Sequence, residues 1–218
     1  RPDAPVVDVV VPVYRGYDDT LACLHAVLTA TTATPFELVV VDDASPEPAL
    51  SAALARLSAL GLITLLVNAP NRGFVGSANR GMALHPDRDV VLLNADTVVY
   101  DDWLDRLRAQ ALQPSVGTVT PLSNNATICS YPHENRDNTA DLELDFAALD
   151  RLAATVNRGD AVEVPTGVGF CMYVRRPLLD AIGPFDEAAF GRGYGEENDF
   201  CRRAAAAGWS NRLATDVF

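Results

Sequence analysis

The feature that most constrains the fold is a fourfold alternation of short β-branched runs and helical segments in the first half of the chain. Strand-like runs occupy residues 6–13, 38–41, 62–67 and 90–93, and segments with helical spacing occupy 18–33, 47–60, 75–84 and 101–112. Strands that alternate with helices form parallel sheets whose two faces are covered by the helices. We therefore predict an α/β fold with a mostly parallel central sheet and right-handed crossovers.

The second half of the chain is less regular. A polar, asparagine-rich stretch at 123–145 is predicted to be a loop or lid. Further predicted elements are helices at 146–156, 176–182 and about 196–207, strands at 161–164 and 169–174, and a glycine-rich loop at 191–195. We see no internal repeat or linker, and 218 residues suit a single domain.

Composition excludes several classes of function. The chain has 17 basic and 29 acidic residues, a formal net charge of −12, and this acidic balance argues against nucleic-acid binding. All 17 basic residues are arginine, which excludes a Schiff-base lysine and a P-loop lysine. No apolar run is long enough to span a bilayer, and residues 1–5 show no signal-peptide pattern. The four scattered cysteines lack zinc-site spacing and are predicted to be free, buried thiols.

Acidic residues follow two of the predicted strands. Asp42 and Asp43 end the second strand, and Asn94-Ala95-Asp96 follows the fourth. In parallel sheets ligands bind at the carboxyl ends of the strands, where a carboxylate can hold a divalent cation and leave positions for phosphate. The alternative is that these residues cap helices or close turns.

A second candidate for anion binding is the segment around Arg72, which precedes a predicted helix. Backbone amides at a helix start, together with an arginine, can bind a phosphate. The alternative is that this arginine pairs with one of the many acidic side chains on the surface of the chain.

The sharpest local feature is a run of three acids within four positions, Glu196, Glu197 and Asp199, directly after the glycine-rich loop. Residues two apart on a helix face different directions, so Glu197 and Asp199 are expected to serve different purposes, one in a pocket and one in the scaffold. A carboxylate at a crevice is a candidate general base. The alternative is an exposed acidic first turn that the helix dipole favours.

Taken in order, these motifs resemble glycosyltransferase family 2, with its Rossmann-like GT-A fold. The matching segments are VVPVY at 10–14, VVDDAS at 40–45, NRG at 71–73, ANRG at 78–81, LLNAD at 92–96, GVGF at 167–170, GPFDE at 183–187 and GEENDFC at 195–201, with Arg203 and Gly208-Trp209. The resemblance spans nearly the whole chain. Each motif is unspecific alone, and their order carries the similarity.

The resemblance implies a role for each matching residue. The residues expected to bind the nucleotide are Pro12, Val13, Tyr14, Asp42 or Asp43, Arg72 and Asn94. Because Asn94 replaces the first acid of the family's Asp-x-Asp motif, Asp96 is the main expected ligand of Mg²⁺ or Mn²⁺. Glu197 matches the catalytic base, which is often an aspartate in the family. Gly169, Glu196 and Asp199 are expected near the acceptor or in support of the base.

The resemblance also implies an activity and a domain organisation. We predict a metal-dependent, inverting transferase that moves a sugar from a UDP- or dTDP-sugar to a saccharide or lipid-linked hydroxyl, in bacterial polysaccharide or glycoconjugate synthesis. Residues 1–122 would bind the donor, and residues 123–218 would supply the acceptor and catalytic half of one GT-A domain. Because the family pattern continues to a histidine beyond Phe218, the domain is expected to be truncated. The predicted location is the cytoplasm, at the membrane's inner face through regions outside this chain.

Two other functions compete with this prediction. The first is a degenerate nucleotide-binding module of a larger synthase, which the asparagine at position 94 favours. The second is a sugar nucleotidyltransferase, which would be expected to carry a glycine-rich, basic N-terminal loop and a catalytic lysine. This chain has neither feature.

Overall fold

A computed structural model describes residues 6–138, 140 and 142–218; the amino-terminal residues 1–5, in which no signal peptide was recognised, lie outside the described residues. Within the described residues the chain forms one eight-stranded sheet with the order β3-β2-β1-β4-β7-β5-β8-β6. The strands are β1 (Val7–Val13), β2 (Phe36–Asp42), β3 (Thr64–Val67), β4 (Asp89–Leu93), β5 (Val116–Pro121), β6 (Ala161–Val164), β7 (Cys171–Val174) and β8 (Ser210–Ala214).

The sheet is mostly parallel, which confirms the predicted fold class. Strands β3, β2, β1 and β4 pair in parallel, and so do β5 and β8. Strand β7 is antiparallel to both β4 and β5, and β6 is antiparallel to β8. The carboxyl ends of β1, β2, β4, β5 and β8 therefore lie along the same edge of the sheet.

Helices cover both faces of the sheet. They are α1 (Tyr17–Thr29), α2 (Pro48–Ala59), α3 (Gly73–Met82), α4 (Trp103–Ala111), α5 (Phe146–Val156), α6 (Arg176–Ile182), α7 (Glu187–Phe190) and α8 (Glu196–Ala206). The predicted helices are all present, whereas β5, β8 and the short α7 were not predicted. Strands β5 and β8 carry glycine, proline or polar residues in place of a continuous apolar run, so their pairing partners rather than their local pattern reveal them.

Alternate residues of β1 build two separate hydrophobic cores. Val9 and Val11 belong to the core beneath α1, α2 and α4, whereas Val10 belongs to the core beneath α3, α6 and α8. Side chains of a strand alternate between faces, so a strand buried on both sides must be apolar throughout. The run of valines in β1 follows from this requirement.

A glycine sets the distance between α3 and β1. A Cβ atom added at Gly81 would lie only 2.2 Å from Cγ1 of Val10, so α3 packs directly on the strand. This contact holds the start of α3 beside the carboxyl end of the sheet, where the candidate site lies.

Two further sequence predictions can be compared with the structure. The four cysteines are free and buried, as predicted. None of the helices in the described part of the chain combines the length and the apolar character that a membrane span requires.

Candidate active site

The candidate site lies where the crossovers leave the sheet in opposite directions. Strand β1 is flanked by β2 on one side and β4 on the other, and the chain reaches these two strands through connections that diverge from it. This divergence opens a crevice at the carboxyl ends of the strands, which is the usual ligand position in open α/β sheets. Tyr14 follows β1, Asp43 follows β2, and Asn94 follows β4, so all three residues lie at this edge.

A cavity of about 280 Å³ opens at the end of β1, and we call it the Tyr14 cavity. Its lining residues are Pro12, Val13, Tyr14, Asp43, Asn71, Gly73, Phe74, Ser77 and Arg192. Pro12, Val13 and Tyr14 are among the residues that the sequence predicts to bind the nucleotide. The aromatic rings of Tyr14 and Phe74 give the cavity apolar surface, and Tyr14 is 43% exposed. Sequence reasoning did not select Arg192, because it is more than a hundred positions away from the rest of the lining.

Asp43 anchors the start of α3 and also lines the Tyr14 cavity. Its Oδ1 accepts hydrogen bonds from Asn68 Nδ2 and from the Arg72 backbone amide, both at 2.7 Å, and its Oδ2 accepts one from the Gly73 amide at 2.8 Å. The side chain is 4% exposed. A carboxylate offers about four acceptor positions, so these bonds leave little capacity for a ligand.

Asp42 has contacts only within the scaffold. Its Oδ1 accepts from the Ser45 amide at 2.8 Å and its Oδ2 accepts from Ser51 Oγ at 2.7 Å, which ties the end of β2 to the first turn of α2. It is 3% exposed and does not line the Tyr14 cavity. Of the two adjacent acids, Asp43 is therefore the one that reaches the cavity.

Arg72 bridges two helices. Its Nη2 donates to both carboxylate oxygens of Glu187, at 3.0 and 3.3 Å, and Glu187 also accepts from Asn79 Nδ2 at 3.1 Å. These bonds join α3 to α7. The guanidinium is 44% exposed, so it remains accessible to solvent.

A second cavity, of about 420 Å³, opens beyond β4, and we call it the Asn94 cavity. Its lining includes Asn94, Asp96, Trp103, Asn124, Phe146, Phe170 and Phe218. The backbone N–H of Asn94 donates to the Phe170 carbonyl at 2.7 Å, and this bond fixes the backbone at Asn94. Asp96 is exposed and Asn94 is partly exposed, and neither side chain has a hydrogen-bond partner within the described residues. The side-chain oxygens of Asn94 and Asp96 are therefore free for a ligand.

Glu197 lies beside Gly169, whose surroundings include residues of both cavities. It is the second residue of α8, which starts after Gly195 in a left-handed conformation with φ of +96°. A Cβ atom added at Gly169 would lie 3.4 Å from Glu197 Oε1 and 3.9 Å from Phe74 Cζ. Phe74 lines the Tyr14 cavity, and Phe170, the neighbour of Gly169, lines the Asn94 cavity.

The two adjacent glutamates form an electrostatically coupled pair. Glu196 is 4% exposed, and the Oε2 atoms of both Glu196 and Glu197 are buried without a hydrogen-bond partner in the part of the chain that the structure describes. Burial raises the pKa of the Glu196 carboxyl above its ordinary value, and the charge and hydrogen bonding of Glu197 raise it further.

Asp199 serves the scaffold. Its Oδ2 accepts from Arg203 Nε at 2.7 Å, and the same arginine donates to the carbonyls of Ile182 and Pro184. These bonds fasten α8 to the segment after α6. Asp199 and Glu197 thus have separate contacts, as expected for positions two apart on a helix.

A cluster of possible metal ligands lies at the opposite edge of the sheet. Ligand atoms of Asp8, Glu37 and His85 lie within 4.8 Å of one another. Arg88 Nη1 donates to Asp8 at 2.8 Å and to Glu37 at 2.6 Å, so a guanidinium already pairs with both carboxylates and offsets part of their charge. We interpret the cluster as a structural ion-pair network. Asn94 and Asp96, in contrast, offer free oxygen ligands at the crevice.

Comparison with known sequences identifies relatives. A family model described as Glycosyl transferase family 2 matches residues 8–183. The chain is 24% identical, over 98% of its length, to Glycosyltransferase AglE of Haloferax volcanii, and it covers 66% of that protein. It is 27% identical, over 49% of its length, to the uncharacterized glycosyltransferase YibD of Escherichia coli, and it covers 30% of that protein. The chain thus spans only part of the length of each relative.

Solved structures share the fold. The structure of GalNAc-T7 with UDP, GalNAc and Mn²⁺ superposes with a TM-score of 0.74 at 16% identity, over 100% of this chain and 44% of that one. The mannosyltransferase PcManGT from Pyrobaculum calidifontis, in complex with GDP-Man and Mn²⁺, has a TM-score of 0.66 at 21% identity, over 96% of this chain and 55% of that one. At these identities the similarity establishes the GT-A fold.

Proposed function

The chain belongs to glycosyl transferase family 2, and from this membership we propose that it transfers a sugar from a nucleotide-diphosphate sugar to a hydroxyl acceptor. We further propose that the transfer inverts the anomeric carbon and contributes to the synthesis of a polysaccharide or glycoconjugate. The donor is a UDP- or dTDP-sugar, and the acceptor is a saccharide or a lipid-linked sugar.

The observation that carries the proposal is the position of Glu197. Its carboxylate lies beside Gly169, which is near Phe74 of the apolar Tyr14 cavity and next in sequence to Phe170 of the Asn94 cavity. A general base must lie within hydrogen-bond reach of the proton that it removes. A donor with its base in the Tyr14 cavity and its diphosphate towards Asn94 would bring its anomeric carbon close to Glu197.

The residues around Asn94 suit a hard divalent cation. Asp96 offers an exposed carboxylate and Asn94 a neutral amide oxygen, and Mg²⁺ and Mn²⁺ prefer oxygen ligands and keep positions for water and phosphate. Such an ion, when bound, would stabilise the negative charge of the departing diphosphate. The net charge of −12 makes this contribution valuable, because the donor is itself an anion.

The chain's own residues account for the other steps. Pro12, Val13 and Tyr14 hold the base, and Asp43 keeps the start of α3 beside it. Glu197 removes the proton from the acceptor hydroxyl as its oxygen attacks the anomeric carbon from the face opposite the diphosphate. The carbon–oxygen bond to the diphosphate breaks, and inversion results. Closure of the 191–195 loop or of the 123–145 segment over the bound donor would limit attack by water.

The proposal is tested by the variant Glu197→Gln, which keeps the shape of the side chain and removes its basicity. We expect sugar transfer to fall by at least about a hundredfold, the scale of general-base catalysis, while nucleotide binding persists. Transfer is measured with radiolabelled donors, and binding is measured by calorimetry. Glu163→Gln, at an exposed position on β6, makes the same chemical change as a control.

Two results would contradict these assignments. Unchanged transfer in Glu197→Gln would exclude this residue as the base. Failure of the unaltered chain to bind any of UDP, dTDP, GDP and CDP, in the presence of Mn²⁺ or Mg²⁺, would contradict donor binding by this chain.

A further inference from the structure

We propose that Arg192 binds the diphosphate of the nucleotide, and that the 191–195 loop links this contact to the position of the Glu196-Glu197 pair. The inference rests on the proposed function for the identity of the ligand, a nucleoside diphosphate. It adds a binding residue and a coupling that the family motifs do not contain, since Arg192 lies in none of the matching segments.

Arg192 differs from Arg72 and Arg80 in having no partner among the described residues, and it lines the Tyr14 cavity, whereas Arg15 lies over the Tyr14 ring, 5.3 Å from its centroid, and is not in the lining. Arg72 is paired with Glu187, and Arg80 donates to the Val67 carbonyl and to Asn68 Oδ1. Arg192 is exposed and lines the cavity, and its guanidinium makes no ion pair or hydrogen bond with any residue that the structure describes. In a chain with a net charge of −12, an arginine without a carboxylate partner at a cavity is available to an anion.

The backbone of Arg192 is held tightly against the start of α3. The Phe74 amide donates to the Arg192 carbonyl at 3.2 Å. A Cβ atom added at Gly73 would lie 2.7 Å from Arg192 Cα and 3.1 Å from its Cβ and Cγ, so the contact requires a glycine there. The side chain of Arg192 therefore leaves the backbone directly beside the first turn of α3, where the helix dipole also favours negative charge.

The diphosphate is the part of the donor that Arg192 is placed to meet. The base would occupy the cavity around Tyr14, and the anomeric carbon must come near Glu197. The diphosphate joins these two parts of the donor, and Arg192 lies five positions before Glu197 on the loop that lines the cavity. A guanidinium matches phosphate oxygens in charge and in bidentate geometry.

The same loop lies against Glu196, the neighbour of Glu197. A Cβ atom added at Gly193 would lie 3.8 Å from Phe74 Cβ and 3.9 Å from Glu196 Oε1, so this glycine packs between the cavity wall and the carboxyl pair. The backbone from Gly193 to Gly195 has φ values of +138°, +77° and +96°, a path that depends on glycine at both ends. Through this contact of Gly193 with Glu196, we propose that binding at Arg192 changes the position of the Glu196-Glu197 pair.

The binding claim is tested by calorimetry on Arg192→Ala and Arg192→Lys, with UDP, dTDP, GDP and CDP in the presence of Mn²⁺. For the nucleotide that the unaltered chain binds, we expect Arg192→Ala to weaken affinity about tenfold or more, and Arg192→Lys to weaken it less because the charge remains. The corresponding nucleoside, which lacks the diphosphate, should bind all of these chains equally. Arg56→Ala, at an exposed position on α2, removes the same charge elsewhere and should leave affinity unchanged.

The coupling claim is tested by hydrogen exchange at the backbone amides of residues 191–199. The nucleotide should slow exchange there in the unaltered chain and in Arg56→Ala, and at saturating nucleotide it should do so much less in Arg192→Ala. A role for Arg192 in folding alone would not produce a difference that appears only with nucleotide.

The outcomes of these experiments distinguish the binding claim, the coupling claim and the proposed function. Equal nucleotide affinity in Arg192→Ala and the unaltered chain would overturn this inference and leave the proposed function intact. Equal loss of nucleoside and nucleotide affinity would overturn the assignment of Arg192 to the diphosphate. Exchange protection that survives in Arg192→Ala would overturn the coupling. Absence of nucleotide binding by the unaltered chain would overturn both the proposed function and this inference.

Discussion

Two pairs of adjacent acids show how the surroundings of a side chain decide its chemistry. Asp42 and Asp43 are buried but accept hydrogen bonds from backbone amides, an amide side chain and a hydroxyl. Glu196 and Glu197 are placed with buried oxygens that have no such donors among the described residues. Hydrogen-bond donors favour the ionised form of a carboxyl group, and burial without them favours the neutral form. Burial therefore raises the pKa of the Glu196 carboxyl above its ordinary value.

The raised pKa of Glu196 predicts a pH dependence of stability. Below the ordinary glutamate pKa of about 4.3 the group is protonated in both the folded and the unfolded chain. As pH rises from there through the raised folded value, the unfolded chain loses its proton first, so the free energy of unfolding falls. In Glu196→Gln this decline should be absent, and the variant should gain stability relative to the unaltered chain over that range.

Urea unfolding at a series of pH values measures this effect. Glu163→Gln, at an exposed position, should reproduce the pH profile of the unaltered chain. Parallel profiles for Glu196→Gln and the unaltered chain would show that Glu196 ionises in the folded state as an ordinary glutamate does.

At the level of elements, α3 makes two close packing contacts that require glycine, because any side chain at those positions would clash. Gly81 lets the helix pack on β1, and Gly73 lets the 191–195 loop approach its first turn. Asp43 holds the same first turn through two backbone amides. Helix α3 therefore connects the core of the sheet, the Tyr14 cavity and the loop that precedes α8.

Replacing Gly81 with alanine should destabilise the fold. The new methyl group would lie 2.2 Å from Val10 Cγ1, and overpacking of this kind costs about 1–3 kcal/mol. The companion variant Val10→Ala removes the atom that clashes, at the cost of a cavity. In urea unfolding the double variant should lose less stability than the sum of the two single losses. Strict additivity would mean that α3 does not rest on Val10.

The sequence predicted the elements around α3 better than the contacts between them. The presence of α3, predicted at 75–84 and observed at Gly73–Met82, and the acids at the ends of β2 and β4 follow from local periodicity and from residue types. Arg72, in contrast, was expected near the nucleotide and is bonded to Glu187, 115 positions away. Arg192 was not selected at all. Nothing in the local sequence indicates such a partner, because it is brought near only when distant helices pack.

For the whole molecule, charge is the dominant constraint on function. In the proposed function, a chain with a net charge of −12 binds a donor that is itself an anion. Arginines at the crevice offset part of the repulsion, but Arg72 already has a carboxylate partner. A divalent cation held by Asp96 and Asn94 would offset more of it, and nucleotide binding should therefore depend on metal.

Thermal and urea unfolding measure this dependence. With Mn²⁺ present, nucleotide at about 100 times its Kd should add about 2.7 kcal/mol to the free energy of unfolding. Chelation of the metal with EDTA should remove most of this gain, and so should Asp96→Ala. Asp180→Ala, at an exposed position on α6, should retain it. An equal gain with and without metal would exclude metal-assisted nucleotide binding.

By itself the sequence determined the alternation of strands and helices in the first half of the chain, the fold class and the edge of the sheet where acids gather. These features depend on the period of apolar residues and on residues adjacent to strand ends, which are local properties of the chain. Only the tertiary structure decided that Asp43 and Arg192, rather than Asp42, line the Tyr14 cavity. It also decided that Asp199 pairs with Arg203. These outcomes depend on which distant surfaces pack together, because burial and partner groups, rather than residue type, determine what a polar side chain can bind.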